Sequence, residues 1–338
     1  MRRTIRLAIA ASAALVTLAF AGSAWAAYEP SLIATSLSNA TGASTTMLLG
    51  HLQTPSDDPT AKDTIYAPLG YGVTLGQPVG TKIGDVDATL ILRGGGNAQV
   101  DVQGQVIADN PALHTSNQCA PGLHGAVWKL NITVAGTPLT VPMYVDAVTA
   151  GPEAAFASAK IQLFLAGPIG TPAGAQLLFA LFDVNGVFRN PTTTTDRIWR
   201  ATFTPYTPGT PNPNPGGTTE GQALVPGRVS LKLRAKSLRR GRVTITGQLL
   251  VSGQPFRGAT VELYQGNRKV GTRTTNAAGR FTIKKKIRRK TRWRGLTAYV
   301  GDLAACPAPA LPGVPQGCKT ATISFVATSN IVTGRKRK

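Results

Sequence analysis

The chain has 338 residues, with 36 Lys and Arg against 15 Asp and Glu, a formal net charge of +21, and only three Cys and three His. That length leaves room for two domains of ordinary size, and the low cysteine count excludes a scaffold built on a dense disulfide framework. Gly, Pro, Thr and Val are abundant while Glu and Lys are scarce in the first half, which argues for strands over surface helices.

In chain order, Arg2, Arg3 and Arg6 precede an apolar stretch at residues 7–22, and Ala24 and Ala26 provide small residues before Ala27. This is the pattern of a cleaved export signal. The apolar run is shorter than the roughly 20 residues that span a bilayer, and no later segment approaches that length. Residues 1–26 are therefore expected to be a signal peptide, and the mature chain a secreted protein without a transmembrane segment.

Residues 27–205 read as a β-sandwich or jelly-roll-like domain of unknown ligand. Trp128, Leu130, Ile132 and Val134 alternate with Lys129, Asn131 and Thr133, and Leu139, Val141, Met143 and Val145 alternate in the return strand after an Ala135-Gly136-Thr137-Pro138 turn. Period-two alternation places one face inward, so residues 126–146 are expected to form a hairpin. A second pair flanks Gly94-Gly95-Gly96-Asn97. Residues 160–167 and 175–188 are apolar enough for central strands, with Asn185-Gly186 as a tight-turn signal. Ala and Glu around Glu153 favour one short helical turn.

Residues 206–222 carry many Pro and Gly, neither of which supports a core, and read as a linker. Beyond it, residues 223–328 hold seven candidate strands separated by Ser252-Gly253, Gly266-Asn267 and Asn276-Ala277-Ala278-Gly279, the spacing of a small sandwich. Val261 and Leu263 point one way, Glu262 and Tyr264 the other. Residues 329–338 read as a basic disordered tail. The fold class expected is all-β: two sandwiches joined by a linker.

The order of Gly247, Gly253, Pro255, Gly258, Ala259, Val261 and Leu263, followed by Thr274, Thr275, Gly279 and Phe281, resembles carboxypeptidase regulatory-like domains. These are transthyretin-like, Ig-like β-sandwiches of secreted bacterial proteins. The resemblance covers about a third of the chain and implies an accessory, structural or adhesion module. The chain departs from the family pattern in the turn before Gly279, where Asn276-Ala277-Ala278 lacks the usual Asp.

Charge divides the chain. Residues 27–205 hold 8 Lys and Arg against 12 Asp and Glu; residues 206–338 hold 25 against 3. Such asymmetry points to a polyanionic partner. The densest run gives the candidate binding residues Lys284, Lys285, Lys286, Arg288, Arg289, Lys290, Arg292 and Arg294, with Phe281, Ile283 and Ile287 turned inward. Cys306 and Cys318 bracket a Pro-rich loop and are expected to form a disulfide in an oxidising compartment, leaving Cys119 over.

Catalytic patterns are weak. His51, His114 and His124 sit in no HExxH motif, and no GxSxG elbow is present. His114, Cys119 and His124 lack the further ligands of a zinc site. Asp57, Asp58, Asp85 and Asp87 lack a calcium-loop pattern and read as solvated turns. Gly94-Gly95-Gly96 lacks the Lys and helix of a phosphate loop. Tyr66, Tyr71 and Trp199 read as packing residues, with a sugar-binding surface as the alternative. No catalytic residue, metal or cofactor is assigned. The function expected is a non-catalytic, envelope-associated structural or binding protein contacting an anionic wall or surface polymer. The alternatives are an extracellular nucleic-acid binder, with Trp293 stacking a base, and a secreted hydrolase with an accessory sandwich.

Overall fold

The structure, a computed structural model, describes residues 28–92, 96–116, 120–134, 136–165, 175–207, 210–287, 290–311 and 317–335. Residues 1–26, Gly94, Gly95, Cys119, Arg288, Arg289 and the last three residues lie outside the described residues. The alternation of the sequence becomes strands throughout. In the first half they are β1 (Ser31–Ser36), β2 (Ser44–Leu52), β3 (Thr60–Pro68), β4 (Gly72–Val73), β5 (Lys82–Leu92) and β6 (Ala98–Asp109). Then follow β7 (Ala126–Val134), β8 (Thr137–Ala147), β9 (Ala157–Phe164), β10 (Ala175–Arg189), β11 (Arg197–Pro205) and β12 (Thr219–Val225).

Antiparallel pairing runs β1–β2–β10–β5–β6–β7–β8–β9–β3–β11–β12. This sheet curls over one apolar core, so that edge strand β1 comes to lie against β12. Trp128 and Trp199 are fully buried there. Trp199 meets Tyr71 and Phe188 edge-on, with centroids 5.1 and 5.4 Å away, the favoured aromatic geometry. The hairpin expected at residues 126–146 is β7–β8, in register from Ala126↔Val145 to Val134↔Thr137. The helical turn near Glu153 is a 3-10 turn, Pro152–Ala155.

Asn185-Gly186 does not turn the chain. β10 runs through it as one strand, and the register against β2 shifts between Asn185 and Phe188. Gly186 has φ +70°, a conformation glycine adopts without a Cβ penalty, so the local signal produces a bulge. Asn185 fixes the bulge by donating to the Ile83 carbonyl and accepting from Thr46 Oγ1, at 2.6 and 2.7 Å.

The second half contains β13 (Val229–Ser237), β14 (Arg242–Val251), β15 (Gln254–Pro255), β16 (Thr260–Gln265) and β17 (Arg268–Thr274). It continues with β18 (Arg280–Lys286), β19 (Thr291–Asp302), β20 (Cys318–Thr328) and β21 (Val332–Gly334). One sheet is β13–β14–β18 with β15 at one end of β14. The other is β17–β16–β19–β20. Val261, Leu263, Phe281 and Ile283 are buried between them with Trp293 and Phe325.

Two expected boundaries are corrected. Residues 219–222, read as the end of a linker, open β12, which pairs antiparallel with β11 and parallel with β20. Its Ala223 and Val225 enter the first core, while Leu224 packs on the second. Composition hid this, because Pro and Gly in residues 207–217 dominate the window. Residues 329–335 are likewise not tail. Val332–Gly334 pair with β19, and Val332 is buried.

The halves share a buried seam. On one face of β20, Thr320 and Thr322 donate to the Pro30 and Leu32 carbonyls of the β1 segment at 2.8 and 2.6 Å, and Ser324 donates to that of Ala34. The two-residue spacing matches the strand period. Beside this ladder, Ile33, Leu48 and Leu181 pack on Tyr264, Leu296, Val300 and Val326. Burying large apolar side chains contributes roughly 1.5–3 kcal/mol each, so parting the halves would cost at least several kcal/mol. They do not behave as beads on a flexible string.

Gly247 sits in β14 where a Cβ would lie 2.2 Å from the Phe281 ring and 2.9 Å from Leu233. Overpacking of this kind costs about 1–3 kcal/mol. Gly247→Ala should lower the urea midpoint accordingly, and trimming the ring in Gly247→Ala/Phe281→Leu should recover part of the loss.

Candidate polyanion-binding face

Strand alternation makes the outer side of β13–β14–β18 a basic face. Leu231 and Leu233 of β13 turn into the core, which leaves Lys232, Arg234 and Lys236 exposed. In β18, Phe281 and Ile283 are buried, which exposes Arg280, Thr282, Lys284 and Lys286. The register then sets the rows: Lys232 opposite Gln248 opposite Arg280; Arg234 opposite Thr246 opposite Thr282; Lys236 opposite Thr244 opposite Lys284. Arg242 faces Lys286 at the end.

Strand spacing near 4.8 Å and a rise near 3.4 Å per residue give these three rows a footprint of about 10 by 14 Å. The three strands contain no Asp or Glu. Among the described residues, none of these seven cations makes an ion pair. β14 contributes only Gln248, Thr246 and Thr244 between the two charged strands. That neutral stripe keeps the charges of β13 about 10 Å from those of β18, near a Debye length at 0.1 M salt, while neighbours along one strand stand about 7 Å apart and Arg242 stands directly opposite Lys286. The hydroxyls and the amide also offer hydrogen bonds to a ligand lying along the stripe.

The basic run read from sequence is split by this geometry. Lys284 and Lys286 lie on the face. Lys285, one residue out of phase, points the other way and donates to the Val270 carbonyl of β17. Lys290 is exposed just before β19. Arg292 and Arg294 belong to β19, opposite Thr333 of β21 and Tyr264 of β16, and so lie on a different sheet. Arg288 and Arg289 lie outside the described residues. Lys232, Arg234, Lys236 and Arg242 were missed because they are far from the run in sequence; Arg280 opens the same strand as Lys284, in the same outward phase, and was missed because the run was read by charge density alone. Strand alternation in residues 229–237 was the signal that could have found the first three.

The three histidines are each held by an aspartate. His51 is buried, with Nδ1 3.0 Å from Asp63 Oδ2 and Nε2 2.9 Å from Gln53 Oε1. Gln53 Nε2 donates to the Asp58 carbonyl, so Oε1 is the accepting end. Thr60 also donates to that oxygen, at 2.6 Å, and Tyr28 donates to Thr60 at 2.8 Å. Both ring nitrogens of His51 therefore face acceptors, which favours the doubly protonated imidazolium. Burial alone would push its pKa down; the charge and hydrogen bond of Asp63, with the bond to Gln53, outweigh this and hold it above the ordinary histidine value.

His114 pairs with Asp109 at 2.8 Å, which also binds Lys129 at 3.1 Å. His124 pairs with Asp146 at 3.0 Å, and its other nitrogen lies 3.0 Å from the Ala120 carbonyl, on which it donates. Among the described residues no cluster of three or more His, Cys, Asp or Glu has metal-ligand geometry. Tyr66, Tyr71 and Trp199 are buried, and so is Trp293, at 2% exposure. Trp293 therefore offers no ring face to a nucleic-acid base.

Cys306 and Cys318 are joined, with Cα atoms 6.1 Å apart. The loop between them is tied to β12. Glu220, fully buried, accepts from the Leu311 amide at 2.6 Å, while Gln222 both accepts from the Ala308 amide and donates to its carbonyl, each at 3.1 Å.

No family model and no curated protein matches the chain. Among solved structures it is similar to one described as "Biofilm associated protein - BSP domain", at 10% identity and a TM-score of 0.19, covering 96% of this chain and 70% of that one. A likeness at that score carries no argument. Among the described residues, no helix is long and apolar enough to cross a membrane.

Proposed function

We propose that the protein is a secreted, non-catalytic component of the cell envelope, and that the β13–β14–β18 face holds it to an anionic wall or surface polymer. One observation carries the reading: seven cations share one exposed sheet face whose three strands contain no carboxylate. The export signal expected in residues 1–26 would place this face among the phosphate- and carboxylate-bearing polymers outside the cell. Both ring nitrogens of His51 and of His124 are taken up by internal partners, which leaves neither ring free to act as a general base. Extracellular DNA would satisfy the charges, but the buried Trp293 removes the stacking contact that favoured it.

Binding of residues 27–338 to purified wall polymer and to DNA across a salt series tests this. Counterion release makes the logarithm of affinity fall linearly with that of salt, by roughly 0.7–0.9 per contact. Four to seven contacts give a slope of about −3 to −6. Wall-polymer binding with such a slope, surviving excess DNA, supports the reading. Absence of binding to wall polymer at low salt removes it.

A further inference from the structure

The sandwich is open on one side, where edge strands β17 and β18 of its two sheets face each other. A cavity of about 270 Å³ lies there, lined by Arg268, Lys269 and Val270 from β17, Lys285 and Lys286 from β18, and Trp293. The volume is just below the roughly 300–1,000 Å³ of clefts that enclose drug-sized ligands, so it suits a single small group. Trp293 is buried. Lys269 is held by Glu262 at 2.7 Å. Lys285 spends one of its three donors on the Val270 carbonyl, which anchors its ammonium in the gap. Lys286 borders the cavity and also stands on the basic face, so pocket and face are continuous.

We propose that this cavity is a site for one phosphate-class oxyanion, the group through which the face distinguishes a phosphate-bearing polymer from a merely acidic one. The inference rests on the polymer-binding reading for its biological source. The cations come from two opposing strands. A tetrahedral oxyanion presents acceptors in several directions and can be bound from both walls, whereas a planar carboxylate presents two oxygens in one plane. The bland reading is that Lys and Arg here only protect two exposed strand edges from pairing with other chains. That reading predicts no saturable site.

The test is equilibrium dialysis of residues 27–338 against inorganic phosphate in chloride buffer, with Lys285→Met as the pocket variant and Lys284→Gln as the face control. One phosphate per chain is expected, weakened about tenfold or more in Lys285→Met, as loss of a charge-assisted hydrogen bond implies, and within twofold of wild type in Lys284→Gln. Arg268→Gln, exposed on β17, should weaken phosphate in the same direction and stands in should Lys285→Met not fold. Absence of saturable phosphate binding, or equal binding by wild type and the pocket variants, overturns the proposal. A second arm compares polyphosphate with polyglutamate: Lys285→Met should lower the preference for polyphosphate, and Lys284→Gln should weaken both. Saturable phosphate with no binding of either polymer leaves the pocket standing and removes the polymer reading. Polymer binding with an unchanged preference in Lys285→Met removes the pocket alone.

Discussion

Replacing Lys232, Arg234, Lys236 and Lys284 together by Gln should weaken binding to an anionic polymer about a thousandfold at low salt. A basic residue close to an anionic surface contributes about 1 kcal/mol, so four give about 4 kcal/mol, or about three decades of affinity. The substitution removes four of the seven face cations, all exposed and none in an ion pair among the described residues, so thermal stability should change little. Fewer like charges on one sheet should even raise it slightly. The informative control is Lys290→Gln/Arg292→Gln/Arg294→Gln, which removes charge from the same sequence run but from the segment and strand outside the face. If net charge alone drives binding, the two variants should differ only by one unit of charge. If the face does, the control should lose less than tenfold. A salt titration separates them further, since losing four contacts should flatten the slope by about three.

The second large effect concerns stability. His51 is buried beside the first core between Asp63 and Gln53, and its folded pKa lies above its unfolded value. The folded state therefore holds the proton more tightly. Its contribution to stability is complete below about pH 6.5 and is lost as pH rises through the folded pKa. Asp63→Asn should reverse this. Without the carboxylate, burial favours neutral imidazole, so the folded pKa falls below the unfolded one and stability drops as pH falls through 6.5. Unpairing a buried charge commonly costs 3–5 kcal/mol. A loss of roughly 3 kcal/mol is expected at pH 6, the lower end, because imidazole can shed its proton. Urea unfolding of both proteins from pH 6 to 9 should therefore give curves that converge as pH rises. Parallel curves would contradict the buried imidazolium. Such a pair is a structural device: His51 also meets Phe203 edge-on at 5.1 Å, within the wall of the core.

Much of the architecture could be read from alternation. Trp128, Leu130 and Ile132, and later Val261 with Leu263 against Tyr264, fell on the sides their period required. Cys306 and Cys318, which stood out in the sequence as the bracket of a Pro-rich loop, are joined. What escaped was long-range register. That β18 pairs with β14, and β14 with β13, is what brings Arg280, Lys284 and Lys286 alongside Lys232, Arg234 and Lys236. Nothing local to residues 284–294 announces those partners, and a dense run in sequence suggested a patch in space. Period two already separates Lys285 from its neighbours, so part of that error was avoidable. The seam escaped for a similar reason. Thr320, Thr322 and Ser324 look like the polar side of an exposed strand, and only the return of β20 to β1 makes them donors to buried carbonyls. Asn185-Gly186 shows the converse, a true local preference for positive φ realised as a bulge because β2 pairs with β10 on both sides of it.

One sheet face, and not overall charge, is proposed to meet the polymer. Lysine-reactive footprinting of residues 27–338, with and without bound wall polymer, reads this directly by mass spectrometry. The expected result is strong protection of Lys232, Lys236, Lys284 and Lys286, with Lys82 and Lys319, both exposed elsewhere, labelled as in the free protein. Equal protection of all exposed lysines, or protection confined to the first half, would contradict it.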